Sequence, residues 1–557
     1  MPAFLGPVDA FLLRGGVVAG RVLPGAVAAL LRRRIRHETA GVVLPAEDGP
    51  FARHLAQRRS QGIGLNVNLL GEAILGDDEA ARRLERVLGH IARPDVDYVS
   101  VKASAVCARV SSLAFDRSRE RVADAIGTMF RAAAARRPPV FVNLDMEEYR
   151  DLELTLAAFT ETLDAPDLVG LDAGIVLQAY LPDAHDALEA LGAWAVERHR
   201  VGGGRIRVRV VKGANLAMER VEAELHGWLP APYPTKLDVD SSYKRLLARA
   251  LDPCWGDALQ VGLASHNLYD VAWGLLLADS FGTRDRLEVE MLEGMAPGQA
   301  EAVRRRGTPV RLYAPVVARD EFDSAVAYLV RRLDENSAPD NYLRHLSEDR
   351  MDGAVELFAE SVTLPVTTSA RRDQDRTVGE RVGSLEEPFA NAADTDWAKA
   401  VNRVWVRGAI DRAVWPQVVP SHVDGHDDGG PLTVPSPDPS DALGPPLYSY
   451  RLADRALVER AVAVAQRSAS TPHPAGRALA ETLVRAAACL ATCRTELIAA
   501  MVADAGKTIA EADIEVSEAV DYAAYYARQV LELDAHVAVH HALGTVVVAP
   551  PWNFPLA

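Results

Sequence analysis

The sequence predicts an α/β protein whose main body is a (β/α)8 barrel with N-terminal helices. Three observations carry this. Eight short apolar runs recur between residues 62 and 316. Most of the segments between them are long enough for a crossover helix, which parallel strands require. Nearly every run also ends on a side chain able to do chemistry, and in such a barrel the C-terminal strand ends form the active-site mouth.

In chain order, the run at 63–70 carries Asn66 and Asn68, the run at 98–101 ends at Lys102, and the run at 140–144 ends at Asp145. The run at 174–177 ends at Gln178, and 206–211 contains Arg209 and ends at Lys212. The last three, 261–265, 287–289 and 310–312, end at His266 with Asn267, at Glu290 and at Tyr313. Helices are expected over 80–91, 117–135, 152–163, 184–198, 243–251, 268–277 and 321–333. Any buried strand must stop somewhere, and a polar residue there is ordinary. Eight in succession, with ammonium, carboxylate, amide, imidazole and phenol all represented, point to a site.

Residues 1–55 read as helical packing elements, 56–345 as the barrel, 346–445 as a linker and connecting segment, and 446–557 as part of a further domain. Residues 421–445 are dense in Asp, Gly, Pro and Ser, a composition with too little apolar surface to offset the entropy of ordering. Alanine-rich helices follow at 457–465, 475–492, 496–505 and 509–533. A buried strand is then expected at 544–549, running into the turn PWNFP at 551–555.

A chain of 557 residues with 49% hydrophobic and 25% charged residues has an ordinary globular composition. Its net charge of −16 argues against nucleic acid, which needs a basic face. Cys107, Cys254, Cys489 and Cys493 form no metal-ligand or disulfide pattern, no metal is expected, and a reducing cytoplasmic location fits. The apolar N-terminal stretch is broken by Asp9, Arg14 and Arg21 and is too short to span a bilayer. The basic run at 32–36 reads either as a solvated helix face or as a peripheral contact with the inner face of a membrane.

The sharpest local signal lies at 328–335. On a helix, Tyr328, Arg331, Arg332 and Glu335 share one surface region. Two adjacent guanidiniums suit a carboxylate, either that of Glu335 or that of a ligand. Lys102 and Lys212 admit a different chemistry, that of Schiff-base lysines in a lyase. Asp145 is expected to hold Lys102 charged, which favours ion pairing over nucleophilic attack.

The motifs YVSVK at 98–102, FVNLD at 141–145, VRVVKGA at 208–214, SHN at 265–267, LYAP at 312–315 and YLVRR at 328–332 resemble the ordered motifs of flavin-dependent proline dehydrogenases. EVSEA at 515–519 and PWNFP resemble the front of an aldehyde dehydrogenase, and the combined order resembles the bifunctional proline utilization A family. The resemblance implies FAD across the barrel mouth on Met146, Gln178, Arg209, Lys212, Gly213, Ala214, Ser265, His266, Asn267 and Glu335. It implies L-proline held by Lys102, Arg331 and Arg332 beneath Tyr313 and Tyr328, with Asp145 behind Lys102. Hydride then passes from proline C5 to the flavin, and electrons go on to a membrane quinone; a homo-oligomer is expected. NAD would enter only with a complete aldehyde dehydrogenase domain, because no cysteine nucleophile follows the oxyanion-hole amide Asn553 within these 557 residues. Asn215 departs from the family, where many members carry Tyr lining the substrate pocket. A non-catalytic binding fragment is the remaining alternative.

Overall fold

The computed structural model describes residues 19–557 except 72–73, 75, 338–340, 348–350, 442, 470–473 and 536–542; side chains at 320, 335–337 and 347 are also outside the described set. The chain forms two compact units. The first comprises the residues up to Glu219 together with Pro230–Arg371, and the second comprises Arg220–Leu229 and Arg372–Ala557.

In the first unit eight parallel strands close a barrel: β2 (Gly64–Leu69), β3 (Tyr98–Lys102), β4 (Phe141–Asp145), β5 (Ala173–Gln178), β6 (Ile206–Val211), β7 (Leu259–Ala264), β8 (Leu287–Leu292) and β9 (Val310–Val317). β9 pairs with both β8 and β2, which completes the closure. A two-residue strand, β1 (Leu44–Pro45), adds to the far end of β9. Crossover helices such as Phe115–Ala135, Leu152–Leu163 and Asp183–Arg200 cover the outside, and Val99, Val142, Leu144, Val208, Val261 and Val289 are buried. Alternate residues on a strand face opposite ways. The opposite face here is polar: Asn66, Ser100, Arg209 and Glu290 bond to one another across the barrel, and Asn143 and Arg209 both donate to Asp145. Glycine makes room for them, since a Cβ at Gly262 would stand 2.3 Å from Glu290 Oε1 and one at Gly174 would stand 2.5 Å from Asn143 Oδ1.

The expected strands are present, with shifted ends. β8 and β9 continue past Glu290 and Tyr313, so these two side chains sit within their strands and not at the rim. Two helices escape the periodicity reading, Leu216–Leu225 after β6 and Pro297–Arg305 between β8 and β9. Among the described residues no single helix is long and apolar enough to cross a membrane.

In the second unit, helices Gly476–Thr492 and Ile509–Ala535 pack together around Ala487, Ala491, Val520 and Ala524. The 421–445 stretch, expected to be linker, carries strands. Ser421–Val423 pairs antiparallel with His426–Asp428, and Thr433–Ser436 pairs with Tyr448–Arg451. The hairpin turn is Asp424–Gly425, both at positive φ (54° and 78°), the Asp-Gly signature of a two-residue hairpin loop. The strand expected at 544–549 does not form. Val546, Val547 and Val548 are 62%, 87% and 82% exposed, because no strand among the described residues pairs with them. The turn after them is anchored instead: buried Glu515 accepts the Leu556 amide at 2.7 Å and pairs with Lys507, whose ammonium lies 5.0 Å from the Phe554 ring centroid. Asn553 is exposed.

Candidate active site

The barrel mouth is organised around Asp145. Its carboxylate accepts from Arg209 Nη1 at 2.8 Å, Tyr313 OH at 2.8 Å, Asn143 Nδ2 at 3.1 Å and Asn68 Nδ2 at 3.3 Å. Arg209 also donates to Glu290 at 2.7 Å and Ser100 Oγ at 3.0 Å, and its guanidinium lies 5.5 Å from the Tyr313 ring centroid. Burial works against the Arg209 charge, yet Glu290 and Asp145 outweigh it and hold the pKa above the ordinary arginine value. Burial, then the Asp145 charge, push the Tyr313 phenol up, so Tyr313 remains a neutral donor. Six strands thus place a rigid, charge-balanced floor under the mouth.

Lys102 does not take Asp145 as its partner, although the two are register neighbours on β3 and β4. Its ammonium pairs with Glu147 Oε1 at 2.7 Å, because Glu147, just past the strand, reaches around the rim while Arg209 and Tyr313 occupy Asp145. Lys212 is held by two carboxylates, Asp240 at 2.6 Å and Asp270 at 2.8 Å, and Asp270 also accepts from Lys244 at 2.8 Å. Desolvation would lower the Lys212 pKa, but these two anions raise it above the usual lysine value. For Asp240, burial is outweighed by Lys212 and Lys236, which bring it to about 2. Periodicity gave no hint of these aspartates, which lie on helices Lys236–Ala250 and Leu268–Phe281.

The turn after β7 supplies the remaining polar groups. Asn267 caps helix Leu268–Phe281 by accepting the Tyr269 amide at 3.0 Å, and Ser265 Oγ accepts the Asn267 amide at 3.1 Å. His266 Nε2 accepts the Leu292 amide at 3.1 Å, which places its proton on Nδ1. Burial, aided by the Arg332 charge, lowers the His266 pKa to about 4, so the ring is neutral at pH 7. Stability from this group is complete above the unfolded value near 6.5 and is lost as pH falls toward 4, since the unfolded chain binds the proton first. The slope of unfolding free energy against pH over that window should therefore be shallower in His266→Gln than in the parent.

Buried polar atoms here lack protein partners: His266 Nδ1, a donor, and Gln178 Oε1, an acceptor whose amide nitrogen already donates to the Glu147 carbonyl at 3.1 Å. A donor and an acceptor left unmatched in a polar mouth fit the hydrogen-bonding edge of a heterocyclic cofactor. Gly213, at φ 123°, lies so close to Tyr180 that a Cβ would stand 2.5 Å from the ring. Met146 is buried, whereas Ala214 is exposed. Tyr328 is buried, with the Arg332 guanidinium 5.1 Å from its ring centroid; Arg331 is exposed on the same helix, Phe322–Ser337. The Glu335 side chain lies outside the described residues.

A family model for proline dehydrogenase matches residues 51–345, and one for the aldehyde dehydrogenase family matches 430–557. The chain is 30% identical over 485 residues to the bifunctional protein PutA of Escherichia coli K12, covering 82% of this chain and 35% of that protein. It is 28% identical over 284 residues to a proline dehydrogenase of Deinococcus radiodurans, covering 49% of this chain and 78% of the relative. Among solved structures, proline utilization A from Corynebacterium freiburgense matches with TM-score 0.74 and 37% identity over 96% of this chain and 49% of that one. That from Bdellovibrio bacteriovorus, inactivated by N-propargylglycine, matches with TM-score 0.81 and 27% identity over 91% and 53%. The chain thus spans about a third of the Escherichia coli relative and about half of these solved chains. With a closed parallel barrel, an acid–arginine–tyrosine floor and a model match over more than half its length, the chain belongs to the proline dehydrogenase family.

Proposed function

We propose that the barrel oxidises L-proline to Δ1-pyrroline-5-carboxylate in proline catabolism, with FAD as its bound oxidant. The observation that supports this most is the coincidence of the matched segment, 51–345, with the barrel whose mouth carries Lys102, Asp145, Arg209 and Tyr313. FAD, when bound, accepts the hydride that leaves proline C5. His266 Nδ1, Gln178 Oε1, Arg209, Lys212 and the turns at Gly213–Ala214 and Ser265–Asn267 are the groups that would hold it, with Met146 beside them.

The protein's own residues do the rest. Lys102, Arg331 and Arg332 take the proline carboxylate through charge-assisted hydrogen bonds. Tyr313 and Tyr328 wall the ring, and Asp145 keeps the Tyr313 hydroxyl and the Arg209 guanidinium in fixed positions. A membrane quinone would be the final acceptor of the electrons. The helix Pro24–Glu38, which exposes Leu30 and Leu31 beside Arg32–Arg34, supports peripheral contact of a cytoplasmic, homo-oligomeric protein with the membrane. NAD-dependent semialdehyde oxidation belongs to an assembly with a complete aldehyde dehydrogenase domain.

The rival lyase chemistry needs an uncharged amine. Lys102 and Lys212 both sit in ion pairs, and the two carboxylates on Lys212 raise its pKa above the usual lysine value. Borohydride added with a 2-oxo acid, whose carbonyl a Schiff-base lysine would capture with loss of water, should therefore leave no covalent adduct on either lysine. Mass spectrometry of the digested protein reads this directly, and an adduct on Lys102 would replace the oxidase reading with the lyase.

A further inference from the structure

We infer that Glu147 is a positioning residue of this site, aiming the Lys102 ammonium at the substrate carboxylate while its main chain sets the orientation of Gln178; this rests on the proline reading above. Glu147 is not part of a strand and belongs to no motif quoted above, yet it bridges three elements of the rim. One carboxylate oxygen takes Lys102 Nζ, at the end of β3, at 2.7 Å. The other accepts from Ser104 Oγ on the short helix Ala103–Val106 that follows Lys102. Its carbonyl accepts from Gln178 Nε2, at the end of β5, at 3.1 Å.

The consequences follow from the geometry. A lysine on a flexible four-carbon stem loses rotamer entropy when it must meet a carboxylate. An anion already holding Lys102 in the rim covers that loss before substrate arrives. The Lys102 side chain remains 31% exposed, so its ammonium can take a second acceptor. Ser104 holds the other carboxylate oxygen of Glu147, so the anchor does not swing with the lysine. The contact to Gln178 commits its NH2 and leaves Oε1 unpartnered, which fixes the face that the amide offers to a cofactor.

Glu147→Gln keeps the side-chain length, the Ser104 contact and the main-chain carbonyl, and removes only the charge facing Lys102. In the FAD-loaded chain its KM for proline should rise about tenfold, the loss expected for one charge-assisted contact. The flavin content and absorbance spectrum should match the parent, and kcat should change less than KM. In a Lys102→Met background the same substitution should leave KM unchanged, because the charge has nothing to aim. If Glu147→Gln does not accumulate as folded protein, Ser104→Ala loosens the same carboxylate and is read the same way, with a smaller rise that also vanishes beside Lys102→Met. An unchanged KM in an active protein, or an equal rise in the Lys102→Met background, overturns the role of Glu147 alone. A parent protein that holds FAD and leaves proline untouched overturns the proline reading and the role with it.

Discussion

Replacing Asp145 with alanine should destabilise the barrel by about 3 kcal/mol and lower turnover by about a hundredfold. The carboxylate is the shared acceptor for Arg209, Tyr313, Asn143 and Asn68, and all but Tyr313 are fully buried. Its removal leaves Arg209 with Glu290 as its one buried counter-ion and takes away the acceptor that fixes Tyr313. The energetic estimate stands at the low end of the range for broken buried pairs because Glu290 remains. Asp145→Asn separates the two effects: an amide oxygen still receives the Tyr313 hydroxyl, while the charge opposite Arg209 is gone. Denaturant unfolding gives the stability loss and steady-state kinetics the turnover. Parental values for both in the alanine variant would remove Asp145 from the centre of the site.

Arg332→Ala should raise the KM for proline by roughly 10–100-fold, the effect of about 1.5–3 kcal/mol for a charge-assisted bond to a carboxylate. Two observations place this guanidinium at the mouth: it lies over the Tyr328 ring, and its charge helps to depress the His266 pKa. Arg331→Ala should act in the same direction. Lysine at either position should restore only part of the affinity, since an ammonium cannot form the two-pronged contact. Pyrrolidine, a substrate analogue without the carboxylate, should be a poor substrate for the parent and should show little further loss in the alanine variants. A KM unchanged by either alanine substitution would assign the pair to helix structure.

The barrel was legible because a parallel strand buried on its outer face needs a β-branched run, and eight such runs at crossover spacing admit few other folds. The positions of polar groups at the rim were legible for the same reason, since Lys102, Gln178 and His266 follow directly on those runs. The polar interior was harder to foresee. Ser100 and Asn143 lie two residues back from Lys102 and Asp145, inside runs that read as apolar, and Glu290, expected at a rim, lies inside a strand that continues to Leu292. Strict alternation, with Ser100 before Lys102 and Asn143 before Asp145, carried that information. The choice of Glu147 over Asp145 by Lys102 was out of reach, because it depends on which cross-barrel donors fill Asp145 first. The same limit applies to Asp240 and Asp270, brought to Lys212 from separate helices. In the second unit, composition alone read 421–445 as linker, whereas the Asp424–Gly425 pair was a hairpin signal.

The most direct test is anaerobic mixing of the purified, FAD-loaded chain with L-proline, followed by addition of an artificial electron acceptor dye. The account predicts that proline bleaches the flavin absorbance, that the dye then restores it, and that steady turnover continues with Δ1-pyrroline-5-carboxylate as product. A folded, flavin-loaded protein whose absorbance is unmoved by proline would contradict it.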